Sequence, residues 1–261
     1  MESDEMLALF DHEMREHARP EGPGVRVERA SGVVRQVGSA DDWNGVVWTA
    51  PDLDAVRAEA VIAEQVEHYT ALGHEEFEWK LYSHDRPADL GGRLLAAGFA
   101  AEPPETLFVA PAAGLASAVE LPAGTELRTV SDAAGVELMV RAHELAFGTD
   151  GSRLRHQALA RLADDTFHAV VVLADGESVS SARTELHPGT GFASLWGGGT
   201  APGWRGRGIY RALIAHRARF AAERGYRFLQ VDATDQSAPI LRRLGFTALS
   251  TTTPYVYRTA P

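Results

Sequence analysis

The stretch Leu195–Gly225, LWGGGTAPGWRGRGIYRALIAHRARFAAERG, concentrates residues able to do chemistry. Gly206 and Gly208 let the backbone turn tightly and let successive N–H groups converge with no Cβ in the way. Ile209, Leu213 and Phe220, with Ala212 and Ala221, form an apolar stripe at helical spacing, and Gly225 supplies the stop. A helix starting near Ile209 leaves its first-turn N–H groups unpaired at the positive end of its dipole. Amides converging at such a head suit a phosphate or pyrophosphate. Arginines 205, 207, 211, 217, 219 and 224 face a single acid, Glu223, so the segment is positive within a chain of net charge −11. A tight turn with solvated arginines would use the same residues, and the flanking elements favour the ligand. The spacing is neither Gly-x-x-x-x-Gly-Lys-Ser/Thr nor a dinucleotide fingerprint, because Arg211 stands where the third glycine belongs.

The elements that must hold this loop follow from periodicity and turn signals. Before it, Thr125–Val130 reads as a strand and Asp132–Phe147 and Arg153–Leu162 as helices. Strands Phe167–Ala174 and Val179–Leu186 flank the hairpin signal Asp175-Gly176, and Phe192–Gly197 follows the turn at Pro188-Gly189. After it come strand Tyr226–Thr234, short helix Ser237–Leu244, Gly245-Phe246 and a terminal strand. The first half repeats that closing order: helix Leu53–Leu72, Gly73, strand Glu76–Tyr82, helix Pro87–Ala97, Gly98-Phe99 and a strand near Val109. GFAAEPPETLFV and GFTALSTTTPYV share Gly-Phe and a valine eleven residues on, as a duplicated unit would. Residues 110–124, rich in Ala, Gly and Pro, read as the linker. We therefore expect an α/β fold, a mixed, mostly antiparallel sheet flanked by helices, in two similar units of which the first is truncated. The expected domains are residues 1–113 and 124–261.

The loop and its flanks resemble the GCN5-related N-acetyltransferase (GNAT) superfamily over about Thr125–Arg258. Arg205, Gly208 and Tyr210 match its Gln/Arg-x-x-Gly-x-Gly/Ala loop, Pro202 its preceding proline, and ILRRLGF (Ile240–Phe246) its closing helix with Leu-Gly-Phe. The resemblance implies acetyl-CoA as co-substrate, with Gly198, Gly199 and Thr200 pairing with the pantetheine arm like another strand. It implies that amides of Gly206, Arg207, Gly208, Ile209, Tyr210 and Arg211, with Arg205, hold the pyrophosphate, and that Thr234 lies on the facing strand. Glycines weaken a strand, and a close ligand approach would justify them. The first half has WNGVVWTAPDLD before its long helix in place of the loop, and resembles a degenerate copy. Its Trp79, Tyr82, His84 and Asp85 suit core or surface, or a wall of the acceptor cleft.

Two positions depart from the family pattern. Tyr210 replaces a Gly or Ala; its N–H still donates, and a ring turned inward would crowd the ligand. Leu241 stands where many members have a tyrosine that protonates the departing thiolate, so Ser237, Tyr255 and Tyr257 are substitute donors. Ser237 also suits a helix cap, and the tyrosines one face of a strand. Glu185 is the expected base that takes the proton of an ammonium substrate, with Asp232 and His187 next.

Composition bounds the rest. The 261 residues, 45% hydrophobic and 23% charged, suit a globular chain with a sizeable core. The net charge disfavours nucleic acid and anionic membrane, and mildly favours cationic partners. With no cysteine there are no disulfides and no thiolate metal sites; no metal is expected, and a reducing cytoplasm fits. The acidic N-terminus carries Met6, Leu7, Phe10 and Met14 at helical spacing and reads as a docking helix, not a secretory signal. The expected activity is direct transfer of an acetyl group to a primary amine of a small molecule or peptide, in a monomer or homodimer. The alternative is a non-catalytic acyl-CoA-binding sensor or partner module.

Overall fold

A computed structural model describes residues 2–117 and 119–259. In chain order the elements are α1 (Ser3–Phe10), continued by a π-helical turn Asp11–Glu16, β1 (Arg26–Ala30), β2 (Val33–Val37), β3 (Gly45–Thr49), α2 (Ala55–Ala71), β4 (Glu76–Tyr82), α3 (Leu90–Ala96), β5 (Ala100–Ala101) and β6 (Glu105–Pro111). Then follow α4 (Ala112–Leu115), β7 (Thr125–Thr129), α5 (Ala133–Phe147), α6 (Ser152–Ala160), β8 (Phe167–Ala174), β9 (Glu177–Leu186), β10 (Phe192–Thr200), α7 (Ile209–Glu223), β11 (Phe228–Ala233), α8 (Ala238–Leu244) and β12 (Thr247–Arg258). Every element expected around the loop is present within a few residues. The expected linker instead holds the end of β6 and all of α4.

The chain forms two compact units. One takes the chain up to Phe108 together with Asp232–Pro239 and everything from Ala248 onward; the other takes Val109–Val231 and Ile240–Thr247. This differs from the 1–113 and 124–261 division read from the sequence, because the last strand is assigned to the first unit. There β12 pairs antiparallel with β4 from Thr252↔Tyr82 to Arg258↔Glu76. Strand pairing has no need of chain contiguity, so a linker signal does not reveal which sheet the final strand completes.

In the first unit β1, β2 and β3 are antiparallel, β3 and β4 are parallel, and α2 makes the crossover between them. Ser31-Gly32 makes the turn of the β1–β2 hairpin, both residues taking positive φ, 54° and 83°. Tyr69 and Ile62 of α2, Phe77 and Trp79 of β4 and Leu94 of α3 form the core. Tyr69 stacks on Phe77 at 4.3 Å. The N-terminal helix docks as expected, burying Met6 and Phe10. Its π-turn, a conformation that aligns residues five apart, brings His12 over His17, ring centroids 4.3 Å apart, with Glu16 between them.

In the second unit β7, β8, β9 and β10 are antiparallel neighbours, β10 and β11 are parallel, and α7 makes the crossover. The sheet is thus mixed and mostly antiparallel, as expected. Val136 and Met139 of α5 pack on Ala169, Val171 and Leu173 of β8. Ile209 and Leu213 of α7 pack on Val170, Val172 and Ala182. Alternation along the strands dictates this division between faces.

His168 of β8 lies 3.1 Å from His216 of α7, Nε2 to Nε2, and stacks on Phe220 at 3.8 Å. Burial and the neighbouring His216 lower the His168 pKa to about 4, and burial also lowers that of His216. The unfolded chain therefore binds more protons than the folded one between pH 4 and 6.5, and stability falls as pH drops through that window. We expect the thermal midpoint to fall between pH 7 and 5, and to fall less in His168→Asn, as differential scanning fluorimetry across pH would show.

Candidate active site

The centre of the site is β10, between β9 and β11. Its antiparallel pairing with β9 shifts register between Trp196, opposite Arg183, and Gly199, opposite Ser181, with Gly197 at φ 57° in the bulge. Its parallel pairing with β11 runs from Phe192↔Phe228 to Ser194↔Gln230. Beyond Ser194, among the described residues, no strand is in register with the edge of β10 that faced β11. An extended ligand can use such an edge as a strand would.

The strand glycines have a packing reason that sequence reading did not supply. A Cβ on Gly199 would stand 2.5 Å from Phe147 and 2.8 Å from Ala146 of α5; one on Gly198 would meet Tyr210 at 3.0 Å and Arg217 at 3.2 Å, both on α7. Helices therefore close on β10 from both faces at these residues, so glycine is needed there with or without a ligand. Tyr210 turns its ring onto Gly198, away from the open space in front of α7.

The loop after β10 makes a short 3₁₀ turn at Pro202–Trp204 and reaches α7 through Gly206 (φ 75°) and Gly208 (φ 88°, ψ −2°). A side chain at Gly203, Gly206 or Gly208 would meet nothing within 4 Å, so open space lies before the helix. The side chain of Ile209 is 1% exposed and anchors the first turn in the core. Ala212 N–H already bonds Gly208 O at 3.0 Å, which leaves the amides of residues 209–211 as the bare first turn.

Arg205 does different work from a simple phosphate ligand. Its Nε donates to Thr200 O at 3.0 Å and its Nη2 to Ala146 O at 2.8 Å, so it ties the loop to the ends of β10 and α5. Arg207 lies over the Trp204 ring at 4.5 Å. Arg207 and Arg211 are exposed, as is Arg205. Arg217, 1% exposed, donates to Leu213 O and Arg183 O, and burial lowers its pKa to about 10. The Gly199 carbonyl accepts from Ser180 Oγ at 2.6 Å.

Glu185 is 8% exposed. Its Oε2 lies 3.0 Å from Arg161 Nη1 and its Oε1 3.3 Å from Arg183 Nε. Both oxygens are thus engaged by guanidinium groups, which makes Glu185 a structural tie at the end of β9. His187 Nε2 lies 2.6 Å from Ser194 Oγ, which also receives the Gln230 amide at 2.5 Å.

The remaining expected residues lie in the first unit. Ser237 donates its hydroxyl to Thr234 O at 3.3 Å, closing the turn before α8, and the same carbonyl accepts from the Ser237 and Ala238 amides. The Tyr255 hydroxyl fills the space a Cβ on Gly91 of α3 would take, and Tyr255 and Tyr257 pack against the core. These contacts are those of a packed strand face. Asp232, its side chain 2% exposed, pairs with Lys80 at 2.5 Å. Trp79 and Tyr82 are buried, while His84 and Asp85 bond Arg15, so core and structural roles account for all four. In the second unit, Leu241, the residue in the expected acid position, is 0% exposed.

Residues 135–246 match the model of the acetyltransferase (GNAT) family. A GCN5-related N-acetyltransferase from Kribbella flavida superposes with a TM-score of 0.71 over 99% of this chain and 95% of its own, at 19% identity. The fold is the GNAT fold. A tandem GNAT protein from the clavulanic acid biosynthesis pathway superposes at 0.63 over 94% of this chain and 86% of its own, at 14% identity. Streptothricin acetyltransferase of Streptomyces lavendulae is 38% identical over 80 residues, 30% of this chain. This chain spans 42% of that relative's length there. The matched segment contains β10, the glycine loop and α7. Among the described residues, no helix is long and apolar enough to cross a membrane.

Proposed function

We propose that the second unit is an N-acetyltransferase domain that binds acetyl-CoA at the head of α7 and passes its acetyl group directly to a primary amine. The observation that carries this reading is the contrast between two crossover helices. At the head of α2 the Asp54 carboxylate accepts from the amides of Val56 and Arg57, at 2.9 and 2.8 Å. At the head of α7 stands Gly208, with no side chain, a left-handed φ and open space ahead. One helix satisfies its orphan amides with its own carboxylate; the other presents them to an anion. The first unit thereby reads as the degenerate GNAT copy, with the same strand–helix–strand crossover and no cradle.

In this reading the amides of residues 206–211 hold the pyrophosphate. Arg205 fixes the loop, and Arg207 and Arg211 supply exposed positive charge. The free edge of β10 past Ser194 takes the pantetheine arm. Thioester carbonyl polarisation and amine positioning then supply the rate. The acceptor class is an amine of a small molecule or peptide. Streptothricin is one to include, since the relative from Streptomyces lavendulae is named for it. A cysteine-free chain suits the cytoplasm, and no metal is needed for this chemistry. The second reading, a non-catalytic acyl-CoA sensor, draws on buried Leu241 and on the engagement of both Glu185 oxygens.

Isothermal calorimetry with CoA and thiol release with a panel of amines separate the two. Heat with CoA together with thiol release for at least one amine is the expected result. Heat without release for any amine leaves the sensor, and no heat with CoA refutes both.

A further inference from the structure

We infer that His143 on α5 is the catalytic base that takes the proton from the ammonium acceptor. This residue was not singled out from the sequence, and its assignment rests on the acetyl-transfer reading above. Three observations place it at the right part of the second unit. Phe147 and Ala146, in the last turn of α5, abut Gly199 of β10. His143 lies one turn earlier on the same helix, its ring 4.7 Å from that of Phe147. Arg183, whose charge acts on His143, points its Nη1 to within 3.8 Å of where a Cβ on Gly197 would sit. His143 therefore stands over the bulged stretch of β10 whose free edge would carry the thioester arm.

The imidazole is also equipped for the step. Its Nδ1 is shielded from solvent and has no hydrogen-bond partner among the described residues, while Nε2 lies 3.4 Å from Thr149 Oγ1. The shielded Nδ1 is closed to a ligand, so Nε2, on the exposed side of the ring, is the nitrogen that can meet an ammonium group. The charges facing the ring are Arg183 from β9 and Glu144 from α5, with the Arg205 guanidinium at the C-terminal carbonyl of Ala146. Burial and Arg183 outweigh Glu144 and lower the pKa of His143 below 6.5, so the ring is neutral at pH 7 and able to accept a proton.

The step balances simply. One ammonium proton passes to Nε2, the freed amine nitrogen bonds the acetyl carbon, and the carbon–sulfur bond breaks. The departing thiolate takes the amine nitrogen's second proton, which leaves a neutral amide and a thiol, and the imidazolium returns its proton to solvent.

The test uses the full chain labelled with ¹³C-histidine, together with His143→Gln. The resonance missing from the variant identifies His143. It should move on adding saturating acetyl-CoA to the parent, while calorimetry shows CoA affinity within about twofold in the variant. With any amine that the parent acetylates, kcat should fall at least about 100-fold and lose its acid limb below pH 6.5. Heat on CoA binding with an unmoved His143 resonance overturns the inference and leaves the acetyl-transfer reading standing. An unchanged kcat, or an acid limb kept in the variant, does the same. No heat in the parent refutes the underlying reading, and this inference with it.

Discussion

Gly208→Asp is expected to abolish measurable CoA binding while leaving the fold intact. If the loop relaxes to the extended conformation that Asp54 adopts, at φ −86° and ψ 168°, the new carboxylate bonds the first-turn amides itself. If residue 208 keeps its left-handed conformation, which aspartate tolerates better than most residues, a negative charge stands where the pyrophosphate must sit. Like charges about 4 Å apart repel by roughly 4 kcal/mol in a medium of intermediate dielectric. The affinity loss should therefore exceed about 100-fold, while unfolding free energy changes by no more than about 1 kcal/mol. Gly208→Asn has similar size and backbone tolerance without the charge, and should lose much less. Calorimetry with CoA beside a thermal melt reads both quantities. Undiminished affinity in the aspartate variant would remove the helix head from the binding site.

The largest expected stability effect lies in the first unit, at Arg15. The residue is 3% exposed and belongs to the π-turn. Its Nη2 donates to both Asp85 oxygens, at 2.8 and 2.7 Å, its Nη1 to Asp11 at 2.7 Å and its Nε to Val47 O at 3.0 Å. The guanidinium also covers the Tyr82 ring at 3.9 Å. Arg15→Leu leaves Asp85 buried with no cation, a change that costs about 3–5 kcal/mol. At about 2–4 °C per kcal/mol for a chain of this size, the thermal midpoint should fall by roughly 10 °C. Arg15→Lys should recover little, since an ammonium cannot reproduce the paired N–H fork. Adding Asp85→Asn to Arg15→Leu should restore part of the loss by removing the stranded charge. A midpoint within 2 °C of the parent in Arg15→Leu would show that this network does not hold the helix down.

Local order was fixed by local chemistry. Alternation, hairpin glycines and helix stops located β4, β8 and α7 to within a residue or two, because those signals act between near neighbours in the chain. The cradle was legible for the same reason: Gly206, Gly208 and the head of α7 are consecutive, and their conformation follows from missing side chains. Contacts distant in sequence were not legible. Glu185 looked like a free carboxylate until Arg161 and Arg183 were found against it. Arg205 looked like a phosphate ligand until Thr200 and Ala146 were seen to accept its protons. His143 carried no sequence signal, since its place beside the bulged stretch of β10 is set by packing across the chain. Nor could the sequence assign β12 to the first unit, because a strand can pair with β4 regardless of the chain between them. Residue type and spacing thus determined what can form along the chain. Burial and pairing across it, which only folding establishes, decided which groups are spent on structure and which are left for a substrate.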